Sequence, residues 1–164
     1  MKTILFLFAV LIFGLVSCNN TSSNRGVEIN GVRWATSNVE TLGTFARNPE
    51  SAGGLFTFDE AQNACPRGWR LPTADELRSL RDAVGGGWTV RNGVNGRTFG
   101  TTPNQMFVPA VGDALGGAGN SGLFWGSTTS GADFGWYLWF TSTTSSVNTI
   151  ERLRGLSVRC VSSE

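Results

Sequence analysis

The chain has no histidine. That removes histidine-based triads and most zinc or copper sites from consideration. Three cysteines remain as soft or redox-active groups: Cys18, Cys65 and Cys160. Asp113 and Asp133 could offer oxygen to a calcium ion alongside backbone carbonyls. Arg152, Arg154 and Arg159 suit bidentate contact with a carboxylate or phosphate. Arg159 also fits a scaffold role, since most side-chain hydrogen bonds go to backbone. The densest cluster of recognition chemistry is Trp136-Tyr137-Leu138-Trp139-Phe140-Thr141. On a strand, alternate side chains point to opposite faces. Trp136, Leu138 and Phe140 then form the core-facing set, and Tyr137, Trp139 and Thr141 point outward. Rigid amphipathic aromatics are enriched in binding hot spots and paratopes, and aromatic faces stack on sugar rings. A second reading stays open. A sheet covered on both faces carries a similar aromatic run, with Tyr137 and Trp139 packed beneath the Gly-rich middle of the chain.

Other candidate motifs have plainer explanations. Gly85-Gly86-Gly87 is not followed by the Gly-Lys-Ser/Thr of a phosphate loop. Asp75 and Glu76 stand at a helix start, where capping accounts for them. No nucleophile–base pair emerges, so the reading is of a non-enzymatic protein with no cofactor and no metal.

The elements that must position these residues occupy only part of the 164-residue chain. Met1-Lys2-Thr3 is a short basic start, and Ile4 to Val16 is almost wholly apolar. This is the anatomy of a secretory signal, too short for a span of about 20 residues. Leu15-Val16-Ser17-Cys18 resembles the bacterial lipobox. The resemblance implies a signal peptide over 1–17, with Cys18 as the first mature residue and a lipid anchor to a membrane. Residues 18–25 then form a polar tether. Asn19 after the cysteine leans, by resemblance to lipoprotein sorting, toward the outer membrane; the cell surface is the expected location there, though Asn19 itself does not give the face. Residues 26–164 amount to one domain by length. With Lys2 removed, twelve Arg face twelve Asp plus Glu. A near-neutral mature chain argues against nucleic acid as partner. With Cys18 lipidated, Cys65 and Cys160 are left, and in an oxidising compartment two leftover cysteines pair. The alternative is a redox or metal-binding pair, for which no further soft ligand is at hand.

Val27-Glu28-Ile29-Asn30-Gly31-Val32-Arg33-Trp34 reads as a hairpin, with Asn-Gly supplying positive φ angles. Residues 36–56 read as loop. Thr57-Phe58-Asp59-Glu60 and Thr73-Ala74-Asp75-Glu76 are capping boxes. They predict a short helix to about Ala64 and a second one carrying Leu77, Leu80 and Val84, ended by Gly85-Gly86-Gly87. Residues 88–122 read as a loop-rich middle, and 123–161 as strands. Strands segregated from helices argue α+β.

Four blocks carry a family resemblance: Ile29-Asn30-Gly31-Val32-Arg33-Trp34-Ala35, Cys65-Pro66-Arg67-Gly68-Trp69-Arg70-Leu71-Pro72-Thr73, Phe124-Trp125-Gly126-Ser127-Thr128, and Gly155-Leu156-Ser157-Val158-Arg159-Cys160-Val161. In this order they resemble the Fibrobacter succinogenes major paralogous domain, a family of secreted and lipid-anchored proteins. The resemblance implies a C-type-lectin-like fold: two short helices, small antiparallel sheets and long Gly-rich loops. That fold is shared with formylglycine-generating enzymes and with the variable proteins of diversity-generating retroelements. In the latter, rewritten positions near the C-terminus form a ligand-binding surface on an unchanged scaffold.

Residues 132–154 are similar to such a variable segment. The layout assigns Asp133, Phe134, Tyr137, Thr141, Thr144, Ser146, Thr149, Ile150 and Arg154 to the ligand-binding set, and strand parity adds Trp139. Trp139 and Glu151 depart from the pattern, because rewriting adenines in Asn codons yields neither residue. The calcium triplets of familiar lectins, Glu-Pro-Asn or Gln-Pro-Asp with Trp-Asn-Asp, are absent. The resemblance therefore implies a membrane-anchored, adhesin- or receptor-like module whose partner is an extracellular protein or glycan. Two alternatives are a structural component of a surface appendage or envelope complex, and an oxidoreductase like the formylglycine-generating enzymes.

Overall fold

The computed structural model describes residues 26–164. The expected signal peptide 1–17, the expected lipid-anchor residue Cys18 and the whole of the expected tether 18–25 lie outside the described residues. The first hairpin forms as its sequence predicts. β1 (Val27–Ile29) pairs with β2 (Val32–Trp34), and the turn between them holds Asn30 at φ 50° and Gly31 at φ 77°. Residues 36–56 are not all loop, because β3 (Val39–Thr41) and β4 (Thr44–Phe45) make a small hairpin there.

Both capping boxes close. Thr57 caps α1 (Phe58–Ala61), and Thr73 caps α2 (Ala74–Arg81). In each, the threonine side chain accepts from the N–H three residues on, and the glutamate reaches back to the threonine N–H. Such a cap contributes about 1 kcal/mol. Both helices stop earlier than the sequence predicts, at Ala61 and not about Ala64, and at Arg81 before Val84. The N–H of Asp82 returns to the Arg78 and Leu80 carbonyls, and Val84 is left 83% exposed. Between the helices lies β5 (Trp69–Arg70).

The middle of the chain is the main departure from expectation. β6 (Gly86–Arg91), β7 (Val94–Thr101) and β8 (Asn104–Pro109) form an antiparallel sheet in that order. Its first turn is another Asn-Gly pair, Asn92 and Gly93, both at positive φ. The glycine triplet opens β6 rather than merely ending a helix. A Cβ on Gly86 would sit 2.2 Å from the Thr98 carbonyl oxygen, so only glycine lets this strand close on β7.

The C-terminal sheet has the order β11-β10-β9, from β9 (Gly122–Ser130), β10 (Phe134–Phe140) and β11 (Ser145–Glu151). Finally β12 (Val161–Ser162) returns to pair with both β2 and β5. The whole is α+β, with mostly small antiparallel sheets and two short helices. Among the described residues, no helix is long and apolar enough to cross a membrane.

The β9-β10-β11 sheet is the central wall, with apolar packing on both sides. On one side Phe124, Leu138, Phe140 and Val147 pack with Leu77 and Leu80 of α2 and with Trp34, Phe99 and Met106. On the other, Leu123 and Trp125 pack with Phe58, Leu156, Val158 and Cys160. Two glycines let aromatic rings approach the wall closely. A Cβ on Gly135 would meet the Phe58 ring at 2.2 Å, and one on Gly122 would meet the Phe140 ring at 2.1 Å. Cys65 and Cys160 are bonded, with Cα atoms 6.0 Å apart, inside the range a disulfide spans without distortion.

Candidate functional site

The register of the C-terminal sheet sorts the sequence-derived residues by face. Tyr137 lies opposite Trp125 on β9 and Asn148 on β11, and Trp139 lies opposite Leu123 and Ser146. Gly135 lies opposite Ile150. Tyr137, Trp139, Ser146, Asn148 and Ile150 therefore share one face, the one that also carries Leu123 and Trp125. Coverage on this face is graded. Leu123 and Trp125 are buried, Tyr137 and Trp139 are half-buried, and Asn148 on the outer strand is exposed.

The outward-facing expectation for Tyr137 and Trp139 thus needs correction. Neither side chain stands free. Both rest on the second core cluster, with Tyr137 edge-on to Trp125 at 6.4 Å between ring centres. The layer beneath them is built from α1, Phe56 and residues 156–160, not from the Gly-rich middle alone. Trp125 is fixed there by its indole N–H, which donates to the Phe56 carbonyl at 2.8 Å. Among the core-facing set, Leu138 and Phe140 are buried, while Trp136 is only partly so. The Arg78 guanidinium lies 4.4 Å from the Trp136 ring centre.

At one end of the aromatic pair stand two charges. Arg154 is ion-paired with Asp113, whose side chain is only 10% exposed. Burial pushes the Asp113 carboxyl up, but the bond from Arg154 and the N–H groups of Leu115 and Gly116 outweigh it and hold it below its ordinary value. Burial raises the Tyr137 hydroxyl above its usual value, while Arg154 and the Asn148 amide pull against that rise. Tyr137 thus stays a neutral donor and acceptor at physiological pH. The Asn148 amide donates to the Ser146 hydroxyl at 2.9 Å. The Arg154 Nε is buried and has no hydrogen-bond partner among the described residues. Leu115 and Leu153, close in sequence to this ion pair, are 77% and 88% exposed. The Ala114 N–H donates to the Gly155 carbonyl at 3.1 Å, which ties the two segments together.

The remaining sequence-derived residues lie elsewhere. Phe134 and Thr149 belong to the opposite face, by their pairing with Glu151 and Trp136. Asp133 sits in the β9–β10 turn, where its carbonyl accepts from the Arg152 N–H. Thr141 and Thr144 close the β10–β11 turn on each other. The Thr141 N–H donates to the Thr144 carbonyl at 2.8 Å, and the Thr141 hydroxyl accepts from the Thr143 and Thr144 N–H groups. The Thr141 N–H and hydroxyl and the Thr144 N–H and carbonyl thus have partners within the turn. Asn148 is the residue that sequence reasoning missed. Period-two parity from Ser146 to Ile150 passes through it and was signal enough.

The other arginines are scaffold. Arg159 is fully buried, donating to the Asn38 side-chain oxygen at 2.9 Å and to the Ala35 carbonyl at 3.1 Å. Burial lowers its pKa to about 9, so it remains charged at neutral pH. Arg152 pairs with Asp59, donates to the Ala132 carbonyl at 2.9 Å and lies over the Phe58 ring. Asp113, weighed above as a calcium ligand, is engaged by Arg154 instead. In comparisons with family models, curated proteins and solved structures, nothing matches this chain.

Proposed function

We propose that this chain is an extracytoplasmic binding module of C-type-lectin-like fold. On this reading it is a lipoprotein held to the outer membrane through Cys18, facing the cell exterior. The Tyr137–Trp139 face touches an extracellular protein or glycan. The observation that carries the reading is the half-buried aromatic pair itself. Each ring is packed below by the second core cluster and flanked on its open side by Asn148 and Ser146. Aromatics fixed in this way lose little conformational entropy on binding, which is the property of a preorganised contact surface. The Arg154–Asp113 pair, close enough to act on the Tyr137 hydroxyl, extends the same surface with charge. The four-block resemblance and the lipobox-like leader supply the rest of the proposal.

The test is a screen of the full chain on arrays of glycans and surface proteins, repeated with two variants. Trp139→Ala should weaken any genuine hit about 30-fold or more, as expected of a hot-spot aromatic. It also removes a half-buried ring, so its melting curve is needed alongside. Tyr137→Phe leaves the packing intact and should weaken the hit about fivefold. Hits that survive both changes place the binding surface elsewhere.

A further inference from the structure

The central sheet ends on β11, which is packed on one face by α2 but has no described strand paired to its outer edge. Among the described residues, no backbone hydrogen bond joins residues 145–150 to any segment other than β10, and the Glu151 carbonyl receives only Arg154 from its own turn. Sheets guard such edges with charges, proline, bulges or very short strands. β11 has none of these along Ser145-Ser146-Val147-Asn148-Thr149-Ile150, and its one charge, Glu151, is at the end. The bulge in this sheet lies between β9 and β10 at Gly135 to Tyr137, away from the edge. The edge strand β6 is guarded by contrast. It starts on Gly86 and Gly87, both at positive φ, and ends on Arg91, which is ion-paired with Glu50.

We propose that β11 pairs antiparallel with β11 of a second copy of this chain, making one six-stranded sheet from two three-stranded ones. The sequence of the strand selects this occupant. A two-fold axis normal to the sheet keeps like faces together only when one residue lies opposite itself. Centring the axis on Asn148 pairs all seven residues. Ser145 then faces Glu151, Ser146 faces Ile150, Val147 faces Thr149, and Asn148 faces Asn148 of the partner copy. No two like charges meet, and β-branched residues meet across the seam on the α2 side. The mature chain, with twelve Arg against twelve Asp plus Glu, carries no net repulsion between copies.

Pairing also changes the candidate site. Each copy places its Ser146, Asn148 and Ile150 beside the same face of the other's β11, two strands from Tyr137 and Trp139, so the two aromatic faces lie on one continuous surface. The pairing itself does not depend on the binding function proposed above.

Opposed residues in an antiparallel pair have Cα atoms about 4.5–5.5 Å apart, within the roughly 4.4–6.8 Å that a disulfide spans. Asn148→Cys in the full chain should therefore give a covalent dimer on a non-reducing gel, well above the wild-type background. Thr129→Cys, exposed on β9 of the same sheet, should not. In a mild detergent, sedimentation of the wild-type full chain should show a dimer. Asn148→Lys puts two like charges at the centre of the seam, and should raise the dimer dissociation constant about tenfold, with an unchanged melting temperature at concentrations low enough that both proteins are monomers. A wild-type chain that sediments as a monomer overturns the proposal. So does equal cross-linking of the two cysteine variants. A dimer that gives no array hit leaves the pairing standing and counts against the binding function. A monomer that binds through Tyr137 does the reverse.

Discussion

At the residue scale, the identity of single glycines decides how the aromatic face is held. Gly135 has no side chain because the Phe58 ring occupies that space, and Phe58 in turn stands edge-on to Trp125 at 5.4 Å. Gly135→Ala forces the ring aside, and overpacking of this kind costs about 1–3 kcal/mol. Chemical denaturation should show that loss, and a variant as stable as wild type would mean that Phe58 has room to move. A glycine in a strand-like run marks a bulge or a close approach, but not which ring approaches. The roles of Tyr137 and Trp139 were half legible for the same reason. Parity gave their common face, while their depth depended on α1 and residues 156–160, which are far away in sequence. Arg159 was legible as scaffold, because a lone arginine among small and apolar residues suits bonds to backbone better than ligand chemistry.

At the element scale, helix starts were the most readable features and helix ends the least. A capping box is complete within four residues, so Thr57 and Thr73 could be identified without any tertiary information. The end of α2 is set by Asp82 turning back onto its own helix, and the apolar Val84 gave the opposite impression. The β6-β7-β8 sheet was hidden because its glycines imitate loop composition. The Asn92-Gly93 turn was its one local signature, the same signal that revealed β1 and β2. The start of α2 yields a pH prediction. Glu76 caps Thr73 and binds Arg70 through both carboxylate oxygens. The Arg70 bond chiefly, aided by the Thr73 N–H and opposed by burial, holds its pKa below the ordinary 4.5. A carboxylate with a lowered folded pKa stabilises the fold fully above the unfolded value and loses that contribution as pH falls through the folded value. Melting temperature should therefore drop on acidification from 4.5 downward. Glu76→Gln should be less stable at neutral pH and show a shallower acid decline. Parallel acid profiles for the two proteins would remove Glu76 from the cause.

At the scale of the whole molecule, one covalent bond and one short strand hold the beginning and the end of the domain together. The disulfide closes a loop of 95 residues, and a loop of that length contributes about 4–5 kcal/mol in the chain-entropy account. The double change Cys65→Ala with Cys160→Ala should lower the denaturation free energy by about that amount, read as a fall in the denaturant midpoint. Reductant should move the wild type the same way and leave the double variant untouched. The pairing was legible in the sequence by counting cysteines. The sheet order was not, because β12 joins strands that lie more than a hundred residues upstream at one partner, Trp34, and closer at the other, Arg70. That placement has a consequence for the order of events during synthesis. Trp34 and Arg70 both take Val161 as their strand partner, while Ala35 and Val39 donate to the carbonyls of Cys160 and Val158. These contacts do not exist until residues 158–161 have left the ribosome. Nearly the whole domain must therefore be made before its first sheet can close. The β1–β2 hairpin, though the first element made, is thus the last to gain its neighbour in the sheet.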